Sequence, residues 1–156
     1  MGLVGFNRYE VETIQIYYRS QKDMIIIGSF NDPHGPRKEC GKPFVVSSLI
    51  SPAEIGAALC GIYNSCLNFS QADLEKEDPP YIQATGIKSW SKFAKDRKVI
   101  HIEWAKNGTI LLECWEWLPS RGFGPSANHP KERTILSSEN LTLDLGTTVL
   151  ELINEA

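Results

Sequence analysis

Residues 44–66 read FVVSSLISPAEIGAALCGIYNSC, which predicts a short strand, a capped turn and an amphipathic helix in succession. Ser51 suits the N-cap, Pro52 suits the first helical position, and Glu54 completes a capping box with Ser51. We therefore expect a helix from about Pro52 to Cys66. Its apolar residues recur at helical spacing and form one stripe, which predicts that this side of the helix faces a core.

The same pattern returns at the end of the chain. Residues 134–156 read TILSSENLTLDLGTTVLELINEA and align with the first stretch at a shift of 90 positions without a gap. The apolar stripe is repeated, and Ser138 or Asn140 is the expected cap. Glycine weakens a helix interior, so the matched glycines, Gly56 and Gly146, predict close packing of each helix on a sheet.

The repeat predicts a single domain over residues 1–156, built from two related halves. The halves are about residues 1–69 and 86–156, joined by an acidic linker at residues 70–85. A chain of 156 residues with 42% hydrophobic side chains is long enough to bury a core. The net charge of −3 is concentrated in the linker, where the acidic residues are Asp73, Glu75, Glu77 and Asp78. This run is either a solvated linker or an acidic lip that steers a basic partner.

Alternating and continuous apolar runs elsewhere predict about six strands. The predicted fold class is α/β (α+β), with a mixed, mostly antiparallel sheet and helices mainly on one face. Long loops are expected at residues 28–42 and 119–133, and a short helix capped by Ser89 within residues 86–98. The predicted strands are Val11–Ser20, Met24–Ile27, Phe44–Val46, Val99–Ala105, Thr109–Leu118 and the strand that opens the second copy at residue 134.

Asn107-Gly108 predicts a two-residue turn between the fourth and fifth strands. The resulting cross-strand pairs are Trp104 with Leu111, Ile102 with Glu113, and His101 with Cys114. One face of this hairpin is then apolar and includes Trp115 and Trp117. Glu113 interrupts that face, which indicates either a pocket or a strand end or bulge.

Two further kinds of site are possible. The opposite face of the hairpin would gather His101, Cys114, Glu103 and Glu116, whose donor atoms zinc accepts, although no flanking ligand pattern accompanies them. The basic run Lys88 to Lys98 could bind phosphate backbones, but a pI near 5.6 favours a solvated helix. No phosphate-binding loop or catalytic motif is present. We therefore predict no enzyme activity, no cofactor and no metal.

The N-terminal sequence lacks the basic start and apolar run of a signal peptide, and no segment has the length of a membrane span. The cysteines, Cys40, Cys60, Cys66 and Cys114, show no CxxC spacing. Reduced thiols are typical of the cytosol, so we expect a cytoplasmic protein.

Four short motifs are distributed over the chain. They are EIGAAL at 54–59 with Asn64-Ser65 downstream, GIKSWSKF at 86–93, Gly-Phe-Gly at 122–124 and Asp-Leu-Gly at 144–146. Together they resemble the immunity proteins of bacterial contact-dependent growth inhibition systems. The resemblance implies a cytosolic antidote that binds the C-terminal toxin domain of a cell-surface effector, often a nuclease, and occludes its active site.

The resemblance further implies a 1:1 complex with the cognate toxin domain, a monomer when free, and no direct binding of nucleic acid or membrane. Charge and position suggest which residues would touch the toxin. The predicted charged contacts are Asp73, Glu75, Glu77 and Asp78, and the predicted anchors are Trp115, Trp117 and the loops around His34 and Phe123. A strand edge could also pair with a strand of the toxin.

Overall fold

A computed structural model describes residues 12–30, 38–66, 78–105, 107–118, 122–125, 132–136 and 138–155. These residues form a seven-stranded, open antiparallel sheet with four helices, which confirms the predicted α+β class. The strands are β1 (Glu12–Ser20), β2 (Asp23–Phe30), β3 (Lys38–Val46), β4 (Lys98–Trp104), β5 (Thr109–Leu118), β6 (Gly122–Pro125) and β7 (Glu132–Leu136). The helices are α1 (Pro52–Cys66), α2 (Pro80–Thr85), α3 (Trp90–Ala94) and α4 (Leu141–Glu155).

The sheet is arranged around the antiparallel pair β1 and β4. On one side β2 and then β3 follow β1, and on the other side β5 follows β4. Both β6 and β7 pair with β5, β6 along residues 115–118 and β7 along residues 109–113. Strand β6 is the one described strand that was not predicted. It lies in a segment that the sequence assigns to a loop, because the run Gly122-Phe123-Gly124-Pro125 is rich in turn-forming residues.

Helices α1 and α4 cover one face of the sheet and enclose the main core. Ile14, Ile16 and Tyr18 of β1 point to this core, as do Ile100 and Ile102 of β4. The predicted strand at Val11–Ser20 is confirmed as β1, and Thr13, Gln15 and Tyr17, which alternate with the core residues, are buried as well. Central strands of a sheet that is covered on both faces have no solvent side.

The two long helices cross at their glycines. A Cβ atom on Gly56 would lie 1.7 Å from the carbonyl oxygen of Thr142, and one on Gly146 would lie 1.7 Å from the carbonyl oxygen of Pro52. The predicted close packing is therefore present, but the prediction of helix on sheet is wrong. The glycines let helix backbone touch helix backbone, which removes the space for any side chain.

The start of α1 agrees with its sequence signals. The Ser51 amide donates to Glu54 Oε1 at 3.0 Å, and the Glu54 amide donates to Ser51 Oγ at 3.1 Å, which is the predicted capping box. The helix spans Pro52–Cys66 as expected. Before α4, Ser138 Oγ accepts from the Asn140 amide at 3.2 Å.

The second face of the sheet is covered in part by the short helices α2 and α3. Phe93 and Ala94 are buried there against Tyr17 and Ile25, and Ser89 caps α3 as predicted. Helix α2 lies within residues 70–85, where the sequence predicts a linker and no helix. Pro80 occupies the first turn, where the backbone amide that proline lacks would have no partner within the helix.

The sheet order matches on both sides of the central pair. Each half has a hairpin, β1–β2 or β4–β5, an outer strand, β3 or β7, and a long helix, α1 or α4. The relation between the halves stays a prediction, and the matched order and the reciprocal glycine contacts support it. Within the residues that the structure describes, no helix combines the length and the apolar character needed to cross a membrane.

The helix crossing predicts opposite effects for two glycines of α1. Gly56→Ala should destabilise the protein by at least about 3 kcal/mol, because the methyl group would overlap the Thr142 carbonyl. Gly61 has no atom within 4 Å of its added Cβ, so Gly61→Ala should stabilise by about 0.5–1 kcal/mol through helix propensity. Urea unfolding of both variants measures this. Equal effects of the two substitutions would contradict the tight crossing.

Candidate functional site

The register of the β4–β5 hairpin decides which side chains share a face, and it differs by one residue from the prediction. The Ala105 amide donates to the Thr109 carbonyl at 2.9 Å, so the loop contains three residues instead of two. Gly108 has a φ of 84°, the left-handed conformation expected at the end of such a loop. The pairs are Trp104 with Ile110, Ile102 with Leu112, His101 with Glu113, and Ile100 with Cys114.

This shift moves the tryptophans to the other face. Trp115 and Trp117 lie on the second face with His101, and not with Ile100 and Ile102 as predicted. A one-residue slip reverses the face of every side chain in a strand relative to its partner. Glu113 is also on the second face, where it pairs with His101 of β4. The aromatic residues of β5 therefore lie beside the polar side chain of His101.

The alternative metal site of His101, Cys114, Glu103 and Glu116 is not assembled. His101 belongs to the second face, whereas Cys114 packs against the main core on the first face. Among the residues that the structure describes, no group of three or more histidine, cysteine, aspartate or glutamate side chains is placed to hold a metal. The interpretation of the second hairpin as a site combining His101 and Cys114 is therefore wrong.

Polar side chains pair across the strands of the second face. Thr13 and Ser29 join their hydroxyls, and both are buried. Gln15 Nε2 lies 2.9 Å from His101 Nδ1, and these two residues are also buried. Buried polar groups must find partners within the protein, so these pairs remove most of the cost of placing such side chains at the centre of a sheet.

The His101 ring has three neighbours on the second face. Its ring stacks on the Trp115 indole with centroids 4.0 Å apart and an angle of 8° between the planes. Its Nε2 atom lies 3.7 Å from Glu103 Oε1, while Nδ1 faces Gln15. The imidazole thus contacts Gln15 of β1 on one side and the Trp115 indole of β5 on the other.

An open cavity of about 420 Å³ lies next to these pairs. Its volume is within the range of ligand-binding clefts. Its walls combine aromatic rings with a few polar groups, and we call it the aromatic cavity. The lining residues are Gln15, Tyr17, Ser29, Glu39, Trp90, Val99, Trp115 and Phe123.

Glu39 is the acidic group of the aromatic cavity. The Tyr17 hydroxyl donates a hydrogen bond to its Oε2 atom. Burial raises the pKa of Glu39 to about 7, although the hydrogen bond from Tyr17 opposes this rise. Among the described residues, no lysine, arginine or histidine forms an ion pair with Glu39, so its negative charge is uncompensated when the group ionises.

Three more carboxylates lie farther along the second face, and we call Glu103, Glu113 and Glu132 the carboxylate patch. Glu113 is directly opposite Glu132 in the pairing of β5 with β7. Partial burial, followed by the charges of Glu132 and Glu103, raises the pKa of Glu113 above its usual value. Like charges at such positions repel one another, so the patch favours a positively charged partner.

The structure brings together the three predicted aromatic anchors. Trp115 and Phe123 line the same cavity, and Trp117 packs against Phe123 with ring centroids 5.3 Å apart. Asp78 is exposed outside the cavity lining. The other predicted contacts, Asp73, Glu75, Glu77 and His34, lie outside the described residues.

The basic run Lys88 to Lys98 is exposed in part. Lys88, Lys92, Lys95 and Lys98 are exposed, but Arg97 is buried instead of pointing outward. Its Nη1 atom lies 3.2 Å from Asp23 Oδ1, and its guanidinium lies 5.1 Å from the centre of the Phe93 ring. Arg97 thus fastens α3 to the sheet, which leaves four lysines as the exposed cations of this run.

Sequence reasoning missed Glu39, Gln15 and Ser29 as cavity residues. Glu39 fell in the predicted loop at residues 28–42, whereas β2 continues to Phe30 and β3 begins at Lys38. Gln15 alternates with apolar residues along β1, a pattern typical of a strand with one solvent-facing side. The available signal was the polar residues at alternate positions of β1. That pattern predicts a face in contact with solvent, whereas in the structure the short helices α2 and α3 cover part of this face.

No protein-family model matches the sequence, and no curated protein matches it. Solved structures with a similar fold include NMB0488, a protein of unknown function from Neisseria meningitidis. Its TM-score is 0.58 at 14% sequence identity, with 97% of this chain and 98% of that chain covered.

A second similar structure is a chain of the CdiA-CT/CdiI toxin and immunity complex from Yersinia pseudotuberculosis. Its TM-score is 0.58 at 12% identity, and the match covers 93% of this chain and 96% of that chain. The fold resembles that of a toxin–immunity complex chain. At such low identity the likeness concerns the fold, and it agrees at that level with the resemblance noted in the sequence.

The raised pKa of Glu39 predicts that stability falls as pH rises. Below about pH 4.5 the carboxyl is protonated in both states; between there and about pH 7 the unfolded state loses its proton first, which favours unfolding. The shift corresponds to at most about 3 kcal/mol. Urea unfolding at about pH 5 and about pH 8 should show this loss in the wild type but not in Glu39→Gln.

Comparing the two proteins cancels the contributions of all other titrating groups, including Glu113, because both proteins contain them. The Gln side chain keeps an acceptor for the Tyr17 hydroxyl. If the difference in unfolding free energy between wild type and variant were the same at both pH values, Glu39 would not carry the raised pKa.

Proposed function

We propose that this protein is an immunity protein that binds a cognate toxin domain in the cytosol and blocks its active site. The observation that carries the proposal is the second sheet face, which contains both the aromatic cavity and the carboxylate patch. The similarity in fold to a chain of a toxin–immunity complex supports it. The resemblance of the sequence motifs to immunity proteins is a further support.

The physical basis of the proposed interaction is charge and shape. A nuclease binds a polyanion and needs basic groups around its active site. A protein that presents carboxylates can engage those groups and so exclude the nucleic acid, and aromatic side chains can anchor the contact. Binding and occlusion require no chemistry from the inhibitor, which fits the proposal that it is not an enzyme.

The carboxylate patch specifies the charge of the proposed partner surface. Glu113 and Glu132 face each other on neighbouring strands. A cation that approaches them offsets the repulsion between the two carboxylates. The proposed toxin surface is therefore basic. A 1:1 complex of a monomeric inhibitor with one toxin domain is the simplest arrangement for such a contact.

The first test is protection of cells. The C-terminal domain encoded by the neighbouring reading frame is expressed with and without this protein, and survival and co-purification are scored. We expect the domain to arrest growth alone, and co-expression to restore growth and yield a stable complex. An active toxin domain that neither co-purifies with the protein nor loses its toxicity would contradict the proposal.

The second test concerns the carboxylate patch. The double variant Glu113→Lys/Glu132→Lys should lower the association rate constant for the toxin domain by about tenfold at low salt, because it removes electrostatic steering. The matched control reverses two exposed acids elsewhere, Glu116→Lys/Glu151→Lys. Stopped-flow measurements at two salt concentrations compare the variants. Equal rates for both double variants would show that the patch does not steer association.

A further inference from the structure

The aromatic cavity has the composition of a cation receptor. Tyr17, Trp90 and Phe123 are mutual neighbours, with ring centroids 5.6 Å apart for Tyr17 and Trp90, 5.6 Å for Tyr17 and Phe123, and 6.2 Å for Trp90 and Phe123. Trp115 and the Glu39 carboxyl line the same space. Aromatic faces attract cations through their quadrupole, and a carboxylate attracts them by charge.

Glu39 is the acid of the cavity, and no side chain in the described part of the chain supplies a counter-charge for it. The described residues give Glu39 one polar partner, the Tyr17 hydroxyl, which is uncharged. Gln15 and Ser29 at the lining are also uncharged, and their side chains already pair with His101 and Thr13. A carboxylate enclosed in this way is stabilised most by a positive group that reaches it from outside.

We propose that the aromatic cavity receives one organic cation, a guanidinium or ammonium group, which a basic side chain of the toxin partner supplies. The proposal rests on the proposed function for the origin of the cation. A guanidinium is planar, so it can stack against an aromatic ring while its edge donates to a carboxylate. Aromatic and arginine contacts of this kind are typical of the energetically dominant centre of an interface.

Other ligand classes suit the lining less well. An anion would be repelled by ionised Glu39, and a neutral aromatic or aliphatic group would leave that carboxylate with the Tyr17 hydroxyl as its single polar partner among the described residues. The carboxylate patch on the same face of the sheet attracts cations at long range and repels anions. The chemistry of the cavity and the charge around it therefore favour the same ligand.

The first experiment tests the cavity without the toxin. N-acetyl-arginine amide is titrated into the intact chain of 156 residues at about pH 8, where Glu39 is ionised, and N-acetyl-citrulline amide is its uncharged isostere. Binding is followed by NMR chemical shifts. We expect the arginine compound to bind at least about tenfold more tightly than the citrulline compound, because only the former pairs with the carboxylate.

Glu39→Gln should abolish that preference while the protein stays folded, since the substitution removes a charge for which the described residues offer no counter-ion. The matched control is Glu151→Gln, an exposed acid on α4, which should retain the wild-type preference. A second variant, Phe123→Leu, keeps an apolar wall but removes one ring, and should weaken arginine binding several-fold. Equal binding of the two compounds, or no effect of Glu39→Gln, would overturn the cation site.

The second experiment tests the source of the cation. Glu39→Gln should weaken binding of the neighbouring toxin domain by about tenfold to a hundredfold, as expected for the loss of one partner of an enclosed charge pair. Glu151→Gln should leave that affinity unchanged. An unchanged affinity of Glu39→Gln for the toxin domain would overturn the assignment of the cation to the partner.

The two experiments separate the two proposals. If no toxin complex forms at all, the proposed function fails, and the titration with the arginine compound still decides the chemistry of the cavity. If the complex forms and the arginine preference is absent, the cavity proposal fails and the proposed function stands.

Discussion

The contact between α1 and α4 is the constraint on which the rest of the structure depends. Gly56 and Gly146 each lie against a backbone carbonyl of the other helix, so the two helices can approach closely enough to share one face of the sheet. With that face sealed, the strands direct an apolar row of side chains toward the helices. The polar residues of the same strands must then occupy the second face, because side chains alternate along a strand.

The second face reconciles burial with polarity by pairing. Thr13 pairs with Ser29, and Gln15 pairs with His101, so these central side chains keep partners without solvent. The carboxylates of this face are not balanced in the same way. Glu39 meets one hydroxyl, and Glu113 meets two other carboxylates. In the described part of the second face, these central pairs are satisfied in hydrogen bonding, whereas the buried Trp115 Nε1 atom has no hydrogen-bond partner among the described residues and the carboxylates lack a balancing positive charge.

Local signals in the sequence predict the parts of this fold that local chemistry determines. The capping box at Ser51 and Glu54, the start of α1 at Pro52 and the strand at β1 follow from residue types and spacing alone. The face of Trp115 could not be predicted, because it depends on one extra residue in a turn that the Asn107-Gly108 pair also permits. Glu39 could not be placed in a strand, because Gly41 and the prolines around it indicate a turn. Pairing of β3 with β2, where the register shifts between Ile26 and Gly28, overrides that local preference.

The surroundings of His101 fix the geometry of the second face near Trp115. In His101 one nitrogen faces Gln15, the other faces the Glu103 carboxylate, and the ring lies flat on Trp115. The imidazole is thus engaged as a support that fixes the orientation of the Trp115 indole. A wall held in this manner is already in place before a partner arrives, so less conformational entropy is lost on binding.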